Sequence, residues 1–113
     1  MSELSEERCK PCEGGVAPLT IDAIREYLKA LPHWQLNSSM GQAFIYRDFE
    51  FKNYYKTIAF VNAVAWLSHQ ENHHPDLNVS YNHCRIQYST HAISGLSENN
   101  FICAAKVDDL GLL

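Results

Sequence analysis

The chain of 113 residues has few basic side chains, few glycines and prolines, and no long apolar run. Its nine lysines and arginines are scattered, and the net charge is −4, which argues against a surface for nucleic acid or anionic membranes. No stretch approaches the roughly 18 consecutive apolar residues of a transmembrane helix. No basic segment followed by an apolar core begins the chain. We therefore expect a cytoplasmic protein whose partner is a small molecule or another protein.

Cysteine is limited to four residues, Cys9, Cys12, Cys84 and Cys103. Without a secretion signal we interpret them as thiols rather than a disulfide framework, and Cys84 and Cys103 as small buried residues. The Cys-x-x-Cys pair could be half of a zinc site or a redox motif. A structural zinc site needs four ligands, however, and a thioredoxin-type motif needs a strand before it and a helix after it. We expect two exposed thiols on a flexible arm.

The chain divides into a short arm and one domain. Residues 1–18 combine charges, glycines and prolines without hydrophobic periodicity, so we predict a mobile N-terminal arm. Residues 19–113 are expected to form a single domain, because compact domains usually have about 100 to 150 residues. Such a small domain buries a modest core, which makes self-association plausible.

Hydrophobic periodicity and turn residues predict the order helix, strand, strand, helix, strand, strand, helix. The expected elements are a helix between Thr20 and Pro32, strands at Trp34–Leu36 and Ala43–Phe51, a helix from Asn53 to about Asn72, a hairpin that places Val79 and Tyr81 in one strand and Cys84–Thr90 in the other around Asn82-His83, and a helix capped by Ser97. Alternation leaves the faces of the second strand ambiguous. This order indicates an α+β fold, with a four-stranded antiparallel sheet and three helices packed on one face.

Histidines are unusually dense in the second half of the chain. Four of the six histidines lie within fifteen residues, and His91 follows shortly after them. His73 and His74 come at the predicted end of the long helix, where Pro75 restricts the backbone, and His91 comes at the end of a strand. We predict that these three converge into one site, whereas His33 and His83, which flank turns, cap, pack or meet solvent.

Such a cluster is suited to paired proton transfers, because imidazole titrates near pH 6.5 and can both donate and accept protons. A dehydration needs one group to protonate the departing hydroxyl and another to remove a proton, and it needs no metal or cofactor. A zinc or iron site is the alternative, since three histidines can hold a catalytic metal. Adjacent histidines rarely chelate together, and no carboxylate stands at a recognisable two-His-one-carboxylate spacing.

One combination of short motifs resembles the signature of the pterin-4a-carbinolamine dehydratases: His73-His74-Pro75-Asp76, Tyr81-Asn82, Ser89-Thr90-His91 and Gly95-Leu96-Ser97-Glu98. The similarity extends from about Leu19 to Leu110. It implies a 4a-hydroxytetrahydrobiopterin dehydratase, which removes water from 4a-hydroxytetrahydropterin to give quinonoid dihydropterin. It also implies the same α+β fold, a homodimer or a tetramer of dimers, and phenylalanine hydroxylase as metabolic neighbour.

By this resemblance His73, His74 and His91 surround the pterin, with Pro75 beside them. Our hypothesis is that His74 protonates the leaving hydroxyl, while His73 and His91 bind the pterin and handle the ring-nitrogen proton. His69, Ser89, Thr90 and Asn100 are expected to support them. Two other functions remain open: a non-catalytic dimeric binding or transcription coactivator module, and a small histidine metalloprotein.

Two positions depart from the family pattern. His69 stands where the family usually has an acidic residue, and Asn100 stands where it usually has an aspartate. A nearby carboxylate raises the pKa of an imidazole and fixes its tautomer, so we expect His91 to be less basic and less firmly oriented. Asn100 can still accept a hydrogen bond and remain part of a helix cap.

Overall fold

The computed structural model describes residues 3–9, 18–38, 43–90 and 95–110. Within these ranges the chain forms four helices and four strands. In chain order they are α1 (Glu3–Glu6), α2 (Ile21–Lys29), β1 (Gln35–Asn37), β2 (Phe44–Glu50), α3 (Tyr54–Glu71), β3 (Asp76–Val79), β4 (His83–Tyr88) and α4 (Glu98–Asp108). The strands make one antiparallel sheet in the order β1-β2-β4-β3. The predicted α+β class and four-stranded antiparallel sheet are confirmed, and α1 is an additional helix.

The register between β2 and β4 settles which face of β2 is buried. Ile45 lies opposite Tyr88 and Phe49 lies opposite Cys84, and all four side chains are buried. Because side chains alternate along a strand, Asp48 on β2 lies on the opposite face, where it is exposed. The face that contains Ile45 and Phe49 packs against the core. Helix α3 contributes Phe60 and Val64 to this core, and α4 contributes Phe101, Ile102 and Ala105.

A charged pair joins the sheet to the end of α4. Asp108 accepts hydrogen bonds from the Trp34 indole nitrogen at 2.9 Å and from the Arg47 guanidinium at 2.7 Å. Both charged side chains are mostly buried, which makes a direct pair more valuable than one on the surface. Trp34 itself is buried, so this contact fixes the start of the first hairpin.

The first helix of the domain begins as predicted and ends slightly earlier. The Thr20 hydroxyl accepts a hydrogen bond from the Ala23 amide at 3.2 Å, which makes Thr20 the N-cap of α2. The helix ends at Lys29, and buried Leu31 follows it before Pro32. On its inner side, the Tyr27 ring stacks on Phe101 of α4 with ring centroids 4.8 Å apart.

The turn of the second hairpin lies one residue before its predicted position. β3 begins at Asp76, directly after Pro75, and the turn is Tyr81-Asn82, closed by the Ser80 amide donating to the His83 carbonyl at 2.9 Å. Tyr81 is therefore a turn residue rather than a strand residue, and His83 belongs to β4. Tyr81 continues the alternation of apolar and polar residues that predicted a strand. Its side chain nevertheless stacks on Tyr54 of α3 instead of joining the sheet.

The N-terminal segment differs from the predicted mobile arm over residues 3–9. α1 packs on α4, and Leu4 is buried in the core. The Lys106 ammonium donates to the Ser5 carbonyl at 2.8 Å, and the Cys9 amide donates to the Glu71 carboxylate at 2.8 Å. This segment shows no hydrophobic periodicity, because only one apolar side chain, Leu4, and hydrogen bonds to its backbone hold it on the domain. The rest of the predicted arm, apart from Pro18, lies outside the described residues.

Candidate active site

The end of α3 fixes the backbone at the histidine pair. α3 ends at Glu71, and Asn72 adopts the left-handed conformation with φ 50° and ψ 42°. The His73 amide then donates to the Ser68 carbonyl at 3.2 Å, which closes the helix end in the manner of a Schellman motif. Asparagine tolerates this conformation better than most residues. The predicted end near His73 is confirmed, and Asn72 is its local cause together with the proline that follows.

The ring of His73 lies against Tyr88 at the end of β4. Their ring planes are nearly parallel, at 13°, and their centroids lie 5.8 Å apart. Tyr88 is fully buried, and its ring also contacts Trp34 at 6.0 Å between centroids. Burial raises the pKa of the Tyr88 phenol well above its usual range, and the nearby Cys103 thiol adds to the effect. Tyr88 thus offers His73 a neutral, rigid stacking surface.

The side-chain amide of Asn100 contacts the imidazole of His73. The Asn100 side-chain nitrogen lies 2.8 Å from His73 Nε2, and Asn100 is completely buried in the first turn of α4. The Asn100 oxygen accepts hydrogen bonds from the Ser97 amide at 2.8 Å and from the Thr90 hydroxyl at 3.0 Å.

This arrangement determines the tautomer of His73. A backbone N–H can only donate, so the Asn100 atom that faces Ser97 is the oxygen and the atom that faces His73 is the NH₂ group. His73 Nε2 must therefore accept, and the neutral ring carries its proton on Nδ1. Protonation of Nε2 would bring two donors face to face. His73 is consequently suited to donating a hydrogen bond from Nδ1, rather than to gaining and losing protons at Nε2.

The segment that carries His91 is closed at its base by the same network. Thr90 pairs with Gly95, with a hydrogen bond of 2.8 Å from the Thr90 amide to the Gly95 carbonyl. The Thr90 hydroxyl is within 2.8 Å of the Ser97 hydroxyl and also donates to Asn100. His91 itself lies outside the described residues. Thr90, the residue before it, is joined to His73 through the single side chain of Asn100.

The remaining predicted site residues have different surroundings. His74 is exposed beside half-buried Pro75, at the start of β3. Ser89 is half-buried next to Thr90. His69 is exposed in the last turn of α3 and packs against Trp66, with ring centroids 5.9 Å apart. The predicted supporting residues Thr90 and Asn100 therefore contact His73 or one another, whereas the ring of His69 contacts Trp66.

The two histidines excluded on sequence grounds lie apart from this network. His33 is exposed in the turn before β1. His83 bonds to Asp48 at 3.0 Å on the open face of the sheet, where Arg85 also binds Asp48. The hydrogen bond from Arg85 is the main cause that lowers the pKa of the Asp48 carboxyl, with a smaller contribution from His83.

The roles of two residues, Tyr88 and Asn72, in the site were not predicted from the sequence. Tyr88 was placed in a strand, and its alternation with Ile86 and Cys84 identified the buried face, but nothing local indicated that His73 would stack on it. Asn72 was treated as the end of a helix. Asparagine immediately after a helical pattern is a known signal for a left-handed cap, and it could have indicated how the His73 backbone is turned.

The described residues contain no group of three or more histidine, cysteine, aspartate or glutamate side chains arranged to hold a metal ion. The same part of the chain contains no helix long and apolar enough to cross a membrane.

The family model described as pterin 4 alpha carbinolamine dehydratase matches residues 17–110. A protein of Nitrosomonas eutropha, provisionally named pterin-4-alpha-carbinolamine dehydratase, is 61% identical over 96% of this chain and 93% of its own length. A protein of Nitrosospira multiformis with the same provisional name is 53% identical over 97% of this chain and 94% of its own length.

Solved structures also share the fold. A transcriptional coactivator/pterin dehydratase from Brucella melitensis aligns with a TM-score of 0.74 and 28% identity, over 80% of this chain and 95% of that one. A pterin dehydratase-like protein, identified as a RuBisCO assembly factor in the alpha-carboxysome, aligns with a TM-score of 0.57 and 26% identity, over 66% of this chain and 84% of that one.

Proposed function

This chain belongs to the pterin-4-alpha-carbinolamine dehydratase family, a family of hydro-lyases, and we propose that it dehydrates 4a-hydroxytetrahydropterin to quinonoid dihydropterin by histidine acid/base catalysis. The observation that carries the proposal is the Asn100 bridge. Asn100 orients the ring of His73 and also binds Thr90, the residue before His91. A buried amide that contacts His73 and also Thr90, the residue before His91, supports a site at this point of the fold.

The three histidines have different parts in this reaction. His73 donates a hydrogen bond from Nδ1 to the pterin, because Asn100 occupies its Nε2. His74 is exposed, so a bound substrate can reach its ring, and it protonates the 4a-hydroxyl, which leaves as water. Removal of the ring-nitrogen proton then falls mainly to His91, and the electron pair of that N–H bond forms the new double bond. The reaction needs no cofactor.

The physiological setting that we propose is pterin recycling in the cytoplasm, in association with an aromatic amino acid hydroxylase such as phenylalanine hydroxylase. The substrate is a small planar molecule with several hydrogen-bonding groups. It would be recognised by oriented imidazoles rather than by a strongly charged surface, in agreement with the net charge of −4.

Purified protein is expected to accelerate formation of quinonoid dihydropterin from enzymatically generated 4a-hydroxytetrahydropterin, with no loss of rate in a chelator. Positioned acid/base groups typically contribute about 10²- to 10⁴-fold to a rate. Absorbance of the quinonoid product, followed with and without EDTA, measures this directly. No acceleration would favour a binding module, such as the transcriptional coactivator role named for the Brucella melitensis protein, and loss of activity with EDTA would favour a metalloprotein.

We further propose that the protein is a homodimer that associates through β3. This strand lies at the edge of the sheet, and its four residues are exposed. Leu77 and Val79 lie on the core side of the sheet, opposite Ile86 and Cys84 of β4, yet each is 38% exposed. An exposed edge strand with apolar side chains offers unpaired backbone groups and apolar surface to a second copy. A tetramer could assemble from such dimers.

Val79→Lys is expected to convert the dimer into a monomer, because a lysine at the paired edge places a charge in the interface. Light scattering after size-exclusion chromatography gives the mass. Ile21→Lys is the matched control, since Ile21 is an exposed aliphatic residue at the start of α2 and distant in sequence from β3. A wild-type monomer, or a Val79→Lys variant that stays dimeric, would contradict this interface.

A further inference from the structure

Two thiols from opposite ends of the chain meet beside α4. Cys9 Sγ lies 3.3 Å from Cys103 Sγ, although the two residues are 94 positions apart. Cys103 is completely buried, and Cys9 is half-buried and accessible from the surface. From the sequence alone, Cys9 is expected to be an exposed thiol on a flexible arm. Instead, its sulfur contacts the inner side of the last helix.

Several independent contacts hold Cys9 in this position. Its amide donates to the Glu71 carboxylate at 2.8 Å, and its thiol donates to the Asn99 carbonyl at 3.7 Å. Earlier in the same segment, Leu4 is buried and Ser5 is bonded to Lys106. These contacts hold the N-terminal segment against α3 and α4, and they keep the Cys9 sulfur next to the Cys103 sulfur.

We propose that Cys9 and Cys103 form a redox-reactive dithiol that closes to an intramolecular disulfide on reaction with a low-molecular-weight disulfide such as oxidised glutathione. The Cys9 thiolate first attacks a sulfur of glutathione disulfide, which forms a mixed disulfide on Cys9 and releases one glutathione. Cys103 then attacks the Cys9 sulfur, and its proton passes to the second glutathione, which leaves as the thiol. The protein loses two hydrogens, and one glutathione disulfide is reduced to two glutathiones.

The surroundings of the two sulfurs favour this order of events. The hydrogen bond with Cys9 is the first cause that raises the pKa of the Cys103 thiol, and burial is the second. Cys103 is consequently a poor initial nucleophile, and small oxidants reach the half-buried Cys9 first. Once Cys9 is held in a mixed disulfide, its thiol no longer raises the Cys103 pKa, and the resolving step becomes easier. Cys84 is buried in the sheet, and burial raises its pKa to about 11, so it should remain unreactive.

The bond would join the N-terminal segment to α4, near residues of the candidate active site. Cys103 lies three residues after Asn100 on α4, and Glu71, which holds the Cys9 amide, lies two residues before His73. The disulfide would fix the N-terminal segment behind the Asn100–His73 contact. Since it closes a loop of nearly the whole chain, it should stabilise the fold mainly by restricting the unfolded state.

The full chain is incubated in buffers of defined oxidised to reduced glutathione ratio, quenched with an alkylating reagent and digested for peptide mass spectrometry. We expect a Cys9–Cys103 cross-linked peptide and a rise in Tm of at least about 5 °C, reversed by dithiothreitol. Cys12→Ser, the matched control from the same motif, should give the same cross-link and the same rise. Cys9→Ser should give neither.

Other products would overturn the proposal. They are a Cys9–Cys12 disulfide, a stable glutathione adduct on Cys9 without the cross-link, or one stoichiometric zinc ion per chain that is lost in Cys9→Ser. Cys9→Ala serves as a second variant in case the serine perturbs packing against Asn99 and Cys103. Because the cross-link and the Tm are measured without substrate, the result is independent of the dehydratase assay.

Discussion

Replacement of His74 by alanine is expected to lower kcat for 4a-hydroxytetrahydropterin dehydration by about 100-fold or more, which is the usual contribution of a general acid. His74 is exposed, so the substitution should leave the fold and the pterin affinity nearly unchanged. His73→Ala should instead act mainly through KM, because Asn100 restricts His73 to donating a hydrogen bond. Steady-state kinetics with a product-absorbance assay separates the two effects.

His33→Ala is the control for both variants. His33 is an exposed histidine in a turn before β1, outside the described network around His73, and its loss should leave kcat and KM unchanged. The assignment of roles is incorrect if His74→Ala retains its full kcat, or if His73→Ala loses kcat without a change in KM. A stable His91→Ala variant with full activity would remove the third member of the proposed site.

Asn100→Asp is expected to reverse the hydrogen bond to His73 with little loss of stability. A carboxylate in the same place can still accept from the Ser97 amide and the Thr90 hydroxyl, so the start of α4 keeps its cap. It cannot donate to His73, however, so Nε2 of His73 must carry a proton. The carboxylate then favours the charged imidazole, which still donates from Nδ1, so the activity of the variant should fall as the pH rises through the raised pKa of His73.

Imidazole ¹⁵N chemical shifts test this directly. In the wild-type protein, His73 Nε2 should have the shift of an unprotonated, hydrogen-bond-accepting nitrogen, and in Asn100→Asp it should have the shift of a protonated one. Asn100→Leu provides the comparison, because leucine can neither cap α4 nor form a hydrogen bond with His73. It leaves the Ser97 amide, the Thr90 hydroxyl and His73 without this partner, and should cost about 3 kcal/mol in the free energy of unfolding. An unchanged tautomer in Asn100→Asp would show that our orientation of the amide is incorrect.

The elements of the fold were largely predictable because each has a local signal. Thr20 caps α2, the apolar stripe of α3 runs without glycine or proline, and Cys84, Ile86 and Tyr88 alternate in β4. The position of the second hairpin was predicted less well, since Tyr81 continues the alternation although it lies in the turn. Helix α1 could not be predicted, because its four residues are held by tertiary contacts with α4 rather than by helix propensity.

The candidate site shows a similar division. Thr90 and Asn100 were identified as supporting residues from the motifs that surround them. Which histidine Asn100 contacts was not evident, because the sequence analysis connected it with His91 while the structure places its amide on His73. That contact depends on how α4 packs over the end of β4 and the end of α3. No spacing within the sequence encodes that packing.

The two functions of Asn100 also bear on how such a site can change during evolution. The oxygen of this residue closes the start of a helix, and its nitrogen sets the tautomer of His73. Asparagine and aspartate serve the first function equally well and have opposite effects on the second. A single substitution can therefore change which nitrogen of His73 is protonated, with little effect on the free energy of unfolding. Lineages could exchange these two residues repeatedly, each time retuning the working pH of the enzyme without first acquiring a compensating mutation.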